Sequence, residues 1–208
     1  ARFVTGPERL RQESGGAALH LTLRLTMFVI MDYPKKPRLA IDMDEVLADT
    51  HQKFLNLYHR DYGIALDLQQ EPGKELHENL PGHLQGQWEV YVNQKGFFRD
   101  IPPMADAAET VKALQERYNV YIVSAAMEFR NSLEDKYDWL ADHFPFIPWT
   151  NILFTGEKII AADIMIDDRI KNLAHFEGRK LLFTSPHNLL ISAYERVNSW
   201  REVGDLLL

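Results

Sequence analysis

The 208-residue chain contains no cysteine, which excludes a disulfide framework, a thiolate nucleophile and a cysteine-ligated zinc site. It also lacks a long apolar run. The most hydrophobic early stretch, residues 21–30, falls short of the roughly 18–20 residues that a membrane-spanning helix needs, and Arg24 interrupts it. Positive charge is in deficit: 23 Lys and Arg stand against 30 Asp and Glu, for a net charge of −7. That balance lacks the basic footprint of a binder of nucleic-acid polymers or anionic membranes. The histidines show no zinc-type spacing. Gly156-Glu157-Lys158 lacks both the upstream glycine and the following Ser/Thr of a phosphate-binding P-loop, and no Gly-x-Ser-x-Gly elbow is present. With no targeting signal read, a cytoplasmic protein is expected.

What remains is ordinary globular material, 46% hydrophobic and 25% charged, of a length suited to one domain. Residues 1–30 differ from the rest: they carry Arg but no Lys and include the Gly15-Gly16 pair. They read as an extension upstream of a domain spanning 31–208. Within that domain, short apolar runs end in polar tips: Arg38-Leu39-Ala40-Ile41 at Asp42, Val120-Tyr121-Ile122-Val123 at Ser124, Asn151-Ile152-Leu153-Phe154 at Thr155, Ile164-Met165-Ile166 at Asp167, and Lys180-Leu181-Leu182-Phe183 at Thr184. Runs of this length, apolar on both faces, are those of buried parallel strands. Helical spacing fills the intervals: Ala107, Val111, Leu114 and Tyr118; Leu133, Lys136, Tyr137, Leu140 and Phe144; Trp200, Val203 and Leu207. Lys136 is read there as lying along its aliphatic stem. Alternation of this kind predicts an α/β fold, a Rossmann-like parallel sheet covered by helices. In such sheets ligands bind beyond the carboxyl ends of the strands, where the polar tips lie. Residues from about 50 to 98 break the alternation and predict a small, mostly helical cap inserted after the first strand.

Two of the tips are acidic. Asp42 and Asp44, two apart at a strand end, point the same way if the chain stays extended; Asp167-Asp168 repeats the arrangement on a distant strand. Alone, each reads equally well as a solvated turn. Together they place like charges in one crevice, an arrangement that needs a neutralising cation, and Mg²⁺ is the hard ion that takes oxygen ligands. Ser124 adds a hydroxyl and Lys158 a compact positive charge suited to phosphate. Acid, acid, hydroxyl and ammonium compose a phosphoryl-transfer site.

These four elements, Asp42-Met43-Asp44-Glu45-Val46, Ser124, Lys158 and Asp167-Asp168, resemble in order the motifs of the haloacid dehalogenase-like phosphohydrolases. Within that superfamily the chain is similar to the 5′(3′)-deoxyribonucleotidases through Val46-Leu47-Ala48-Asp49, Gly96-Phe97-Phe98-Arg99-Asp100, Lys136-Tyr137-Asp138-Trp139-Leu140, Ile166-Asp167-Asp168-Arg169, and Leu182-Phe183-Thr184 with His187-Asn188. The resemblance implies a haloacid dehalogenase-like core and a Mg²⁺-dependent phosphomonoesterase acting on (deoxy)nucleoside 5′- or 3′-monophosphates. Asp42 would be the nucleophile that forms an aspartyl-phosphate. Asp44 would be the general acid and base, buried so as to carry a proton near neutral pH. Mg²⁺ would be held by the Asp42 carboxylate, the Asp44 backbone carbonyl and Asp167, with Asp168 in the outer shell. Ser124 and Lys158 would hold the phosphate, and Phe98 would line the substrate pocket.

The sequence departs from the family pattern at four places. Glu45 stands where the animal enzymes carry Gly, Thr50 where they carry an aromatic residue, and Ala125 where they have a second hydroxyl. Lys158 sits one residue closer to the fourth motif. Trp88 and Tyr91 read first as core of the cap and second as a stacking surface, while His187 reads as a structural loop histidine. Two other readings stay open: a phosphatase of another small phosphomonoester such as a sugar phosphate, and a non-catalytic phosphate- or metal-sensing domain. Oligomeric state is left open, a homodimer being one option.

Overall fold

The computed structural model describes residues 35–65 and 72–208, so the extension over residues 1–30 lies outside the described residues. Six strands form one parallel sheet: β1 (Arg38–Ile41), β2 (Asn119–Ser124), β3 (Ile152–Phe154), β4 (Ile164–Asp167), β5 (Arg179–Phe183) and β6 (Glu195–Val197), in the order β3-β2-β1-β4-β5-β6. The chain moves outward from β1 in one direction, then returns beside it as β4 and moves outward in the other. The switch point therefore falls between β1 and β4, the crevice position that doubly wound sheets use for ligands. The two apolar faces read from the sequence are both buried. Leu39 and Ile41 of β1 and Ile164 and Ile166 of β4 face one core layer, and the intervening Ala40 and Met165 face the other.

Helices α3 (Ala107–Leu114), α4 (Ser132–His143) and α6 (Trp200–Leu207) contribute Val111, Leu114, Trp139, Leu140, Trp200 and Val203 to the first layer. The short α5 (Ile170–Ala174) contributes Leu173 to the second. Two tryptophan N–H groups fasten loops near the site. Trp139 Nε1 donates to the Ile101 carbonyl at 2.7 Å, and Trp200 Nε1 donates to the Val46 carbonyl, also at 2.7 Å. The helix ends follow local rules: Asp49 caps α1 (Thr50–Tyr62) by accepting from Gln52 N at 2.9 Å, and Gly63 ends it with φ of 66°.

Between β1 and α3 the described residues are helical: α1, 3₁₀ turns at Leu76–Asn79 and Gly82–Leu84, and α2 (Gln87–Val92). Phe54, Tyr58, Tyr91 and Phe97 pack their rings together there. Tyr91 is buried among them and donates its hydroxyl to Asp61 Oδ2 at 2.7 Å, so it belongs to the core of the cap. The sequence predicts five strands, and β6 is the addition. Tyr118, expected on the face of α3, lies beyond that helix and bonds instead to the Leu207 carbonyl at 3.2 Å.

Candidate active site

Strand register gathers the acidic tips. Ile41 pairs with Ile166, and the next residue, Asp42, donates its N–H to the Ile166 carbonyl at 2.9 Å. On the other side Ile41 pairs with Ile122, so β2 carries Ser124 to the same end of the sheet. Asp42, Ser124, Asp167 and Asp168 are all buried, and one oxygen from each of Asp42, Asp167 and Asp168 lies within 4.8 Å of the others. Lys158, delivered by the irregular segment between β3 and β4, places Nζ 2.5 Å from Asp42 Oδ1 and 2.8 Å from Asp167 Oδ2.

Asp44 faces the cleft. Its side chain is 34% exposed rather than buried, and its Oδ2 accepts from Lys136 Nζ at 2.5 Å. Lys136, placed by the sequence on a helix face and given no role there, is a site residue. Its ammonium also reaches Ser124 Oγ at 3.1 Å and lies 4.6 Å from the centroid of the Phe98 ring. The signal was a lysine on the inward face of α4, where a buried ammonium needs a partner.

The first-motif loop turns tightly after Asp44: the N–H groups of Leu47 and Ala48 both donate to the Met43 carbonyl, at 2.8 and 2.9 Å. Glu45 takes a φ of 61°, the left-handed conformation that glycine adopts without steric cost. Here the buried Glu45 side chain is paired with His51 Nδ1.

Four carboxyl groups crowd together with the ammonium groups of Lys136 and Lys158 and the Arg169 guanidinium. Burial pushes the Asp42 carboxyl up to about 7; Lys158 opposes the shift, while Asp167 and Asp44 add to it. Burial likewise holds Asp168 well above the usual carboxylate value, reinforced by Asp42 and Asp167. For Lys158, burial works against the charge, yet the Asp42 and Asp167 carboxylates outweigh it and raise the ammonium above its ordinary value.

The two adjacent acids are treated differently. Asp167 accepts from Lys158 Nζ at 2.8 Å, from Arg169 N at 2.8 Å and from Asn172 Nδ2 at 3.0 Å to each oxygen. Neither Asp168 oxygen receives a hydrogen bond; nearest to Oδ2 are His187 Nε2, on an imidazole that burial pushes down to about 4, at 3.4 Å, and the cationic Arg169 Nε at 3.5 Å. A buried carboxylate without a donor is costly. An all-oxygen donor set next to it fits a hard divalent cation such as Mg²⁺.

A carboxyl whose folded-state pKa is raised stabilises the fold below its unfolded pKa and loses that contribution as pH rises through the folded value. Between the ordinary 3.8 and about 7, Asp42 should therefore make the metal-free protein progressively less stable. Thermal melts across that range should show the decline, and added Mg²⁺ should reduce it.

The acids open into a cavity of about 1380 Å³ that takes in the cap aromatics on one side and runs along the Lys158–Asp163 segment to Arg38 and Phe176 on the other, with room for a small phosphorylated ligand. Its cap side presents aromatic groups. Phe98, itself 2% exposed, stacks on Phe129 at a centroid distance of 6.0 Å. The half-buried Trp88 meets Phe129 edge-on at 6.4 Å and stacks on His77 at 5.5 Å. Phe129 had no sequence signal. Thr50 lines the same cleft but is buried. Arg169, directly after the two acids, pairs with Glu75 of the cap segment.

The family model described as 5′ nucleotidase, deoxy (Pyrimidine), cytosolic type C matches residues 36–208. A Staphylococcus epidermidis protein is 41% identical over 169 residues, covering 81% of this chain and 94% of its own. The 5′(3′)-deoxyribonucleotidase of Bacillus subtilis is 37% identical over 180 residues, covering 83% and 99%. Among solved structures, a HAD-hydrolase from Bacillus subtilis bound to magnesium superposes with a TM-score of 0.51 at 15% identity, covering 83% of this chain and 99% of that one. A haloacid dehalogenase-like hydrolase from Streptococcus pneumoniae gives 0.50 at 11% identity, with the same coverage. At these identities the two structures speak for the fold alone. Among the described residues no helix is long and apolar enough to cross a membrane. With the family model spanning the domain and close relatives matching almost end to end, the chain belongs to the 5′(3′)-deoxyribonucleotidase family of phosphoric monoester hydrolases, built on a haloacid dehalogenase-like fold.

Proposed function

We propose that the protein removes phosphate from (deoxy)nucleoside 5′- or 3′-monophosphates through an aspartyl-phosphate on Asp42, with a divalent cation, Mg²⁺ by preference, at the carboxylate cluster. The observation that carries this reading is the convergence of Asp42, Asp44, Lys136, Ser124 and Lys158 at the carboxyl ends of β1, β2 and β4. In the first step an Asp42 oxygen bonds to phosphorus as the bond to the sugar oxygen breaks, and Asp44 gives that leaving oxygen a proton. In the second, water attacks phosphorus and yields its proton to Asp44, freeing Asp42 and inorganic phosphate. Lys158 and Lys136 are the two ammonium groups able to meet charge on the phosphate oxygens, and Ser124 Oγ offers a further hydrogen bond.

The cation would be held by Asp42, the backbone carbonyl of Asp44 and the fourth motif. The hydrogen bonds favour Asp168 as the ligand there, because Asp167 is already committed to Lys158, Asn172 and the Arg169 N–H. Bound there, such an ion supplies positive charge against the phosphate oxygens and the crowded carboxylates. Asp167 would instead hold the Lys158 ammonium in place.

The half-buried Trp88 and Phe129, backed by the buried Phe98, support a nucleobase over a bare sugar phosphate, since stacking a base on an aromatic ring contributes roughly 1–3 kcal/mol. The test is a hydrolysis panel of 5′- and 3′-deoxynucleotides, ribonucleotides and sugar phosphates, run with Mg²⁺ and with a chelator. Nucleotides should be turned over well ahead of sugar phosphates, and chelation should stop the reaction. Equal rates across the panel would overturn the nucleotide preference, and full activity in chelator would overturn the cation. Absence of turnover on every substrate would leave the sensing-domain reading in its place.

A further inference from the structure

We propose that Asn188 is a positioning residue for the cation site: from the β5–β6 connection it fixes the backbone at Asp168 and so sets the direction of that carboxylate. The inference rests on the reading of Asp42 and Asp168 as cation ligands. Asn188 closes the 3₁₀ turn Pro186–Asn188 and is fully buried. Its amide is used in four directions. Nδ2 donates to the carbonyls of Asp168 at 2.9 Å and Phe183 at 2.8 Å; Oδ1 accepts from Ser185 N at 3.2 Å and Arg196 Nη1 at 2.8 Å. An uncharged amide supplies two donors and a twofold acceptor at once, which a carboxylate of the same shape cannot.

The Asp168 carbonyl takes a second bond from His187 Nε2 at 3.1 Å. Since a carbonyl only accepts, this nitrogen carries the proton and Nδ1 accepts from Ser185 Oγ at 3.0 Å. Arg196 anchors the assembly to β6, donating through Nη2 to the carbonyls of Asn188 at 2.9 Å and Ile191 at 2.5 Å. Asp167 and Asp168 are thus held by opposite means. Donors grip the Asp167 carboxylate itself, whereas the Asp168 carboxylate has no hydrogen bond, meets Arg169 Nε and His187 Nε2 only at 3.4–3.5 Å, and is fixed chiefly through its main chain. Partners behind a metal ligand fix its orientation, and their loss weakens metal binding by about 10–100-fold.

Asn188→Asp keeps the shape but turns an acceptor toward two carbonyls. The probe is Mg²⁺ alone, titrated into substrate-free protein and read as the shift in thermal unfolding midpoint. The Mg²⁺ dependence of phosphate release and the nucleotide KM at saturating Mg²⁺ are measured alongside. The expected result is a Mg²⁺ affinity weaker by about 10–100-fold with the nucleotide KM at saturating Mg²⁺ unchanged. Should Asn188→Asp not fold, His187→Phe keeps a ring of similar size but no donor, removes the outer of the two grips and should weaken Mg²⁺ several-fold. A variant that melts earlier but binds Mg²⁺ as tightly as the wild type would overturn the proposal and leave Asn188 a purely structural residue. A wild-type protein whose midpoint does not respond to Mg²⁺ would instead overturn the cation site itself, and this inference with it.

Discussion

Asp42→Asn should abolish phosphate release, lowering kcat by at least ~10⁴-fold, the scale seen when a nucleophile is removed, while leaving the folded protein intact. Asparagine fills the same space at the end of β1 and keeps the main-chain bond from Asp42 N to Ile166 O at 2.9 Å, so the sheet is not disturbed. What it loses is the anionic oxygen that would bond to phosphorus. Stability should not fall in parallel. The buried Asp42 carboxyl is itself pushed up to about 7 among the neighbouring acids, and Lys158 keeps its second partner, Asp167. Steady-state phosphate release and a thermal melt of the same preparation decide the matter. Retention of a substantial fraction of wild-type turnover would remove Asp42 as nucleophile.

Lys158→Met should do what Asp42→Asn does not, damaging both activity and stability. The ammonium is 4% exposed and is the group shared between Asp42 and Asp167. Methionine fills most of the volume and leaves two buried carboxylates facing each other. Removing one partner of a buried ion pair typically costs about 3–5 kcal/mol. Losing one preorganised donor to the phosphate should lower kcat by about 10²–10³-fold. Denaturant melts in chelator should show the stability loss, and Mg²⁺ should recover part of it by restoring positive charge between the carboxylates. A metal-free variant as stable as the wild type would mean that the Lys158 pairing carries no net weight in the fold.

The sheet could be read from the sequence because its central strands are buried on both faces and therefore appear as unbroken apolar runs. β6 escaped notice for the opposite reason: it is three residues long and of these only Val197 is buried, Glu195 and Arg196 leaving no such run. At the site, residues at strand ends were legible because a strand tip fixes where a side chain goes. Lys136 was not, since its long aliphatic stem satisfies an amphipathic helix pattern as well as a leucine does; only the fold shows Asp44 and Ser124 waiting at its tip. Asp167 and Asp168 are indistinguishable as neighbouring letters. They separate only when Asn172, one turn into α5, and Lys158, from the segment before β4, are seen to engage the first and not the second. Phe129 belongs to the cleft through the placement of a loop after a 3₁₀ turn, which carries no periodic signal.

The bond from Trp200 Nε1 to the Val46 carbonyl joins residues 154 apart in sequence and ties α6 to the loop that follows Asp42. Among the described elements that loop is translated early and α6 after all the strands. A nascent chain still tethered to the ribosome, or a product of premature termination before Trp200, would carry every group of the candidate site without the clamp that sets the loop. The loop beside Asp42 would thus take its final position only once α6 has been made and docked.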